Sequence, residues 1–443
     1  DRGCRVTLVA PSKAADGATG TSYEWLNSHR KKPDTYQALN LLGLEHWHNE
    51  FGPAHAEHLT WSGHTAIAVN EIHREILTER VQYLAGRGYP AEFVETFDGL
   101  VSDTLRDGAL IAQFASEGYC DALAIHTDLS ASLEHNDAFT FVEGTAVAVD
   151  GSSVSLASGA TVEGDRVVIA AGNGSASLVT SAGVPFALAD QSDGGAAWGF
   201  LATVSTPSHG IRQLITTDDT NLRPVDADTL LVQCLDLDRH AGHKTQNALQ
   251  THGGEFSRRV TRVPGRPVET LNVRVGHRVI PGDGMTTAGP LFGEASDSTW
   301  AVVTHSGITL GPWLAEVIAD EVVTQKLDTR LAEFRPTRFA GAHQPQSLHP
   351  AAPASNRGRK SLAKYSTLPD ERTLPRSSPP KPGRCASTPM DRCLHAATTR
   401  WPLLRPGTRK TATATAPRYT TSPKPRSAAS ARTHAAATSA PRS

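Results

Sequence analysis

The stretch Leu271–Val322 constrains this chain more than any other. It opens with a strand-like run bearing Arg274 and Arg278 and turns at Pro281–Gly284. An apolar run, Thr299–Thr304, then ends in the small-residue bend His305-Ser306-Gly307. Beyond the bend, Leu310, Trp313, Leu314, Val317, Ile318 and Val322 recur at the spacing of one helix face. A strand, a glycine bend and a helix start in succession aim backbone N–H groups and the positive end of a helix dipole at something electron-rich.

The elements ahead of it are mixed. Arg5–Ala10 is a short apolar run with β-branched residues, which predicts a buried parallel strand, and the small-residue loop Ala15–Ser22 follows. Asp34 and Gln37 have the spacing of a capping box for a helix whose apolar face is Tyr36, Leu39, Leu44, Trp47 and Phe51. A second helix is expected over about Val69–Leu84, ended by Gly86, Gly88 and Pro90. Helical signals near Thr104–Ala115 and Asp121–Leu133 come next. Thr140–Gly172 predicts a meander with Asp150-Gly151 and Ser158-Gly159 as links and Arg166–Ala171 as a buried strand. Apolar runs at Trp198–Val204, Leu230–Leu235 and Thr270–Val275, parted by polar turns, predict an antiparallel sheet.

Charge divides the chain unevenly. Residues 341–443 hold 18 Lys/Arg and 3 Asp/Glu, so of 43 basic and 45 acidic residues in all, 25 and 42 fall in 1–340. The near-neutral total hides an acidic body and a basic tail, and says nothing useful about partners. The tail is rich in Pro, Ser, Thr, Ala and Arg, and such a composition cannot bury enough apolar surface to offset chain entropy, which predicts disorder. A nucleic-acid or acidic-surface arm rests on the tail alone. An unstructured extension, or out-of-frame translation past the end of the domain, is the plainer account, so no nucleic-acid partner is expected.

Five cysteines without C-x-x-C spacing indicate neither a disulfide framework nor a zinc site, which fits a reducing, cytoplasmic setting. No apolar run approaches the roughly 18–20 residues that span a bilayer, and no secretory leader is present. The chain begins at Asp1 and not at Met, so its true start is expected upstream.

The closing stretch resembles the flavin-contacting C-terminal segment of FAD-dependent oxidoreductases of the D-amino-acid oxidase/glycine oxidase type. The matching residues, in order, are Arg278, Pro281, Asp283, Gly284, Gly289, Pro290, His305, Ser306, Gly307, Thr309 and Pro312. The resemblance covers about Arg5–Phe339. It implies an α/β fold: a Rossmann-like, doubly wound FAD-binding domain with an inserted antiparallel-sheet substrate domain. The expected divisions are 1–190 and 276–340 for the FAD-binding domain, 191–275 for the substrate domain and 341–443 for the tail. In this family a strand and a G-x-G-x-x-G turn, which let bare backbone approach the pyrophosphate, come just before the strand matching Arg5–Ala10. Here only Asp1–Cys4 precede it, and Ala10 stands where an acidic residue usually takes the ribose hydroxyls.

The resemblance also assigns candidate site residues. Thr19, Gly20 and Ser22 match a small-residue loop beside the cofactor, and Ala171-Gly172 matches the segment that closes the meander along the flavin; an ordinary loop and an ordinary strand-end turn are the competing readings. Gly307, Ile308, Thr309 and Leu310 would supply N–H groups to the N1/O2 side of the ring, where negative charge collects on reduction. Arg278 would hold a substrate carboxylate, since a guanidinium binds one bidentately; alternatively it forms a salt bridge within the acidic body, or Arg274 does. His305 is a catalytic candidate or a structural histidine. His46, His48, His55, His58 and His64 are read as lying in a helix and polar loops without metal spacing, so no metal is expected.

The implied activity is oxidation of the C–N bond of an amine or amino acid to an imine by hydride transfer to FAD. The competing reading is a truncated or degenerate family member that does not hold FAD and turns over nothing. Substrate, electron acceptor and oligomeric state are not written in the sequence.

Overall fold

A computed structural model describes residues 2–97 and 102–340. By its contacts the chain divides into Asp1–Thr373 and Leu374–Ser443, and every described residue belongs to the first unit. The expectation of a disordered 341–443 tail falls outside the described residues.

The largest element is an eight-stranded sheet. Its order is Glu269–His277, Trp198–Ser205, Thr229–Gln233, Asn221–Pro224, Leu214–Thr216, His64–Ala68, Leu110–Phe114 and Ala91–Phe93. All neighbours are antiparallel except Leu214–Thr216 with His64–Ala68. Phe200, Ala202, Val204, Leu230 and Val232 make one cluster with Phe256 and Val260 of the helix Ala248–Thr261. The expected antiparallel sheet is there, joined by three strands from 64–114.

One of those three was read differently in the sequence. Thr104–Ala115 carries a helical signal, yet only Asp103–Arg106 is helical and Leu110–Phe114 is a strand. Pairing decides the matter. Ile67 and Ala68 on one side and Ala91–Phe93 on the other bond this run from both edges, and Ile111, Ala112 and Phe114 are buried by it. The other helices follow the pattern: Glu71–Ala85 is capped by Asn70, and Ala122–Glu134 by Asp121. At Asp34–His46 the expected capping box does not form. Asp34 instead accepts from Tyr83 (2.5 Å) and Arg87 (3.0 Å), while Gln37 is buried and bonds Ser28 (2.9 Å).

The doubly wound part consists of two separate parallel pairs. Val6–Ala10 runs beside Phe139–Glu143, and Val167–Ile169 beside Thr299–Val303, whose far edge carries Thr287–Pro290. No described strand bridges them. Val6 and Leu8 are 53% and 43% exposed, so the expectation of a buried strand at Arg5–Ala10 is corrected; in Val167–Ile169, Val168 is 44% exposed while Ile169 is buried as expected. One ladder edge of each is unpaired. The meander between them, Ala146–Asp150, Ser153–Leu156 and Thr161–Glu163, forms as expected, with Gly151 at positive φ in its first turn.

The closing helix Gly307–Thr324 buries Leu310, Trp313, Leu314, Val317 and Ile318 against Tyr36, Leu39 and Trp300. Pro312 lacks the N–H that would bond the carbonyl of Ile308, and the indole of Trp47 supplies it at 2.9 Å. At the other end the Glu321 carboxylate takes both arms of Arg335 (2.6 and 2.8 Å) in a buried ion pair.

Candidate functional site

The site is built where the start of the closing helix meets the segment after the opening strand. Ser306 has no side-chain cap to offer Gly307–Thr324; the first intrahelical bond runs from Leu310 N–H to Ser306 O (2.8 Å). The Ser306 hydroxyl faces the other way. It accepts from Lys31 Nζ (3.0 Å) and meets Tyr36 Oη (3.1 Å). Thr309 Oγ1 links the helix to the same segment, donating to Trp25 O and accepting from Asn27 N–H, both at 3.4 Å. The helix therefore enters the site uncapped, with its first N–H groups and a lysine side by side.

The expected loop residues Thr19, Gly20 and Ser22 lie on or beside a short helical turn, Thr19–Thr21. A side chain at Gly20 would strike Ala15 O at 2.4 Å, so the tight turn requires glycine there. Gly20 O also accepts Arg274 Nη1 (2.7 Å), and Ser22 Oγ accepts the Glu24 amide (3.0 Å). Ala171 and Gly172 sit beyond Val167–Ile169, and Asn173 donates to His277 O (3.2 Å), which fastens that turn beside Arg278. Arg278 donates to Asp238 Oδ2 (2.5 Å) and to the carbonyl of Trp198 (2.8 Å). The ion pair that the sequence left open for Arg278 is made, and Arg274 takes a carbonyl.

His305 is exposed. Desolvation by the atoms packed near its ring, and then the Lys31 and Arg278 cations, hold its imidazole below the usual range, so these three groups share one neighbourhood.

A second cluster has no local sequence signal. His29, His64 and Glu117 are 4%, 1% and 0% exposed. Glu117 Oε1 meets His29 Nδ1 (2.6 Å) and accepts Tyr89 Oη–H (2.7 Å), while Oε2 accepts Trp25 Nε1–H (3.0 Å) and lies 3.3 Å from His64 Nδ1. His64 is thus corrected from a polar loop to the first residue of the buried strand His64–Ala68, with Thr216 on its other nitrogen (2.9 Å). Burial pushes the Glu117 carboxyl up to about 8 and both imidazoles well down. One ligand atom from each of the three lies within 4.8 Å of the others, a spacing a metal ion accepts. The carboxylate is nonetheless satisfied by the protein's own donors, and the field of Arg30 and Arg80, which lowers the His64 imidazole, opposes a further cation.

The helix start, capped by no side chain and with Lys31 on Ser306, fits an electron-rich group. The residues fit a ribose less well: Ala10 ends its strand without a carboxylate, and Asp16 accepts Ser12 Oγ (3.3 Å) nearby.

Fold and site together define the class: a doubly wound core under a large, mainly antiparallel sheet, with an uncapped helix start at the junction. Residues 1–321 match the family model described as FAD dependent oxidoreductase, and the chain belongs to that family, whose cofactor is FAD. Among solved structures it is similar to glycine oxidase from Geobacillus kaustophilus (17% identity, TM-score 0.63, covering 76% of this chain and 93% of that one). It is also similar to L-amino acid deaminase from Proteus vulgaris (16%, TM-score 0.61, 76% and 88%) and to L-proline dehydrogenase from P. horikoshii (12%, TM-score 0.59, 75% and 91%). At these identities the likeness shows the fold. None of the curated proteins matches the sequence. No described helix is long and apolar enough to cross a membrane.

Proposed function

We propose that the chain oxidises the C–N bond of an amine or amino acid to an imine. The observation that carries the reading is the uncapped start of Gly307–Thr324, with Lys31 on Ser306 and His305 and Arg278 around it. When bound, FAD supplies the hydride acceptor. Gly307, Ile308, Thr309 and Leu310 would turn N–H groups toward the ring edge where negative charge develops, and Lys31 adds a positive charge beside them. Thr19, Gly20, Ser22, Ala171 and Gly172 would keep small side chains along the ring. His305, held neutral, would offer a hydrogen-bond partner to the substrate amine and would not take its proton. The expected division into a FAD-binding part and a substrate part belongs to this reading, with the large sheet as roof of the substrate site. A cytoplasmic setting fits the free thiols of Cys4, Cys120 and Cys234.

A second reading, a family member that holds no FAD, draws on the two unjoined parallel pairs and the exposed Val6, Leu8 and Val168. One preparation separates the two. Bound flavin absorbs near ~450 nm and bleaches under substrate without oxygen. Protein that stays colourless after FAD is added rules out the oxidoreductase.

A further inference from the structure

Glu117 stands fully buried in the turn between Leu110–Phe114 and Gly118–Cys120. Its backbone is fixed on both sides: the amide donates to Phe114 O (3.3 Å), and the carbonyl accepts Gly63 N–H (2.9 Å). The carboxyl is fixed as well. Oε1 meets Tyr89 Oη and His29 Nδ1, and Oε2 takes the Trp25 indole N–H (3.0 Å). The His29 ring is confined in turn, stacked on Phe114 (4.6 Å) and on His64 (5.0 Å). Burial favours a neutral acid beside neutral imidazoles. A neutral acid donates to His29 Nδ1 while it accepts from Tyr89 and Trp25.

The same turn holds Trp25 twice. Tyr119 and Gly118 pair with Trp25 and Leu26 through the backbone, and Glu117 takes the indole. From there the chain passes directly to the closing helix, where Thr309 Oγ1 donates to Trp25 O and accepts the Asn27 N–H (both 3.4 Å). Ser28 Oγ accepts Gln37 Nε2 of the helix Asp34–His46 (2.9 Å), and His29 then returns to Glu117. Trp25–His29 is therefore a strap. One carboxyl grips both of its ends, and its middle meets the first turn of Gly307–Thr324. That helix start has no side-chain cap, so the Thr309 bonds join those of Ser306 and Trp47 in seating it.

We propose that Glu117 is a positioning residue for the cofactor site: it sets Trp25 and His29, and the strap between them sets Thr309 and the first turn of the closing helix. The inference rests on the reading that FAD lies at that helix start. Glu117 acts through Trp25, and a negative charge on it plays no part. An uncharged side chain with a matching donor and acceptor therefore replaces it, and an apolar one does not.

The test compares Glu117→Gln, Glu117→Leu and Trp25→Phe in the full-length protein. FAD titration and urea unfolding are followed, with hydrogen exchange of the peptide over 306–312 measured on protein without FAD. Glu117→Leu should weaken FAD by about tenfold or more and speed exchange in that peptide by a similar factor. Glu117→Gln should stay within about threefold of wild type in both. Trp25→Phe removes only the indole N–H and should fall between them, and Glu117→Leu added to it should weaken FAD by less than it does alone. Val260→Ala, in the cluster around Phe200, supplies a loss of stability away from the strap. FAD affinity and exchange that merely follow stability, changing alike in Val260→Ala, overturn the proposal. A Glu117→Gln protein as impaired as Glu117→Leu also overturns it, since charge and not positioning would then be at work. If Glu117→Leu does not fold, a Trp25→Phe protein with unchanged affinity and exchange is sufficient to overturn it. Wild-type protein that takes no FAD removes the oxidoreductase reading alone, and the exchange comparison then decides the positioning by itself.

Discussion

Asp238 holds Arg278 through Oδ2 (2.5 Å) and the Phe200 amide through Oδ1 (2.9 Å), and so ties the end of Glu269–His277 to the neighbouring strand Trp198–Ser205. Both side chains are largely buried, at 22% and 12% exposed. A buried pair is worth little against an apolar substitute, but breaking it leaves a charge without a partner. Arg278→Ala is therefore expected to lower unfolding stability by about 3 kcal/mol, and Asp238→Asn, which keeps an acceptor for Phe200, by less. Urea unfolding of the two variants checks this. A stable Arg278→Ala protein that has lost only substrate affinity would show that Arg278 serves the substrate and not the fold.

Glu117 makes stability depend on pH in a stated direction. Burial raises its carboxyl to about 8 in the folded protein, against an ordinary 4.5. A group whose folded value is raised favours the folded state when protonated. Its contribution is thus complete below about pH 4.5 and is lost as pH rises toward 8. His29 and His64 are shifted the opposite way, so their contribution is complete above pH 6.5 and fades as pH falls below it. Between pH 6.5 and 8 the Glu117 effect dominates, because Lys31, brought down to about 8, opposes it fully only as that value is reached. Wild-type protein should lose stability across that window, and Glu117→Gln should show a flatter profile. A wild-type profile that is flat or rising from pH 6.5 to 8 contradicts the assignment.

Local pattern explains what the sequence revealed and what it withheld. Gly307–Thr324 and the meander were legible because helical periodicity and Asp-Gly links act over a few neighbouring residues. Leu110–Phe114 was not, because its strand character comes from partners 42 to 50 residues away in His64–Ala68. The capping role of Asp34 yielded to Tyr83 and Arg87, which no short-range pattern connects to it. The cluster of His29, His64 and Glu117 is drawn from three distant segments, and no spacing rule joins them.

The bond from the Trp47 indole to Ile308 O exists because Pro312 cannot make it. Trp47→Phe leaves a buried carbonyl bare and is expected to cost about 1–3 kcal/mol. Pro312→Ala restores a backbone N–H within the helix, so the same Trp47→Phe change made on that background should cost less. A double-mutant cycle by chemical denaturation measures the coupling, expected at about 0.5 kcal/mol or more. Additive losses would show that the two residues do not share this carbonyl.

Gly43 sets how closely the first helix approaches the site. A Cβ there would lie 2.6 Å from Thr309 O and 3.0 Å from Leu310 Cδ2, both on the first turn of Gly307–Thr324. Backbone cannot yield as a flexible side chain does, so Gly43→Ala must push Asp34–His46 and the closing helix apart. Overpacking of this kind costs about 1–3 kcal/mol, offset in part by the better helix propensity of alanine, about 1 kcal/mol. The displacement falls on Thr309, whose hydroxyl fastens Trp25 and Asn27 and with them the segment leading to Arg30 and Lys31. Gly43→Ala should therefore weaken FAD binding by more than its loss of stability explains. A control of similar burial and distant from the helix start, Val260→Ala in the cluster around Phe200, should lose stability without that change in binding. Equal binding losses in the two variants would mean that Gly43 matters only for packing.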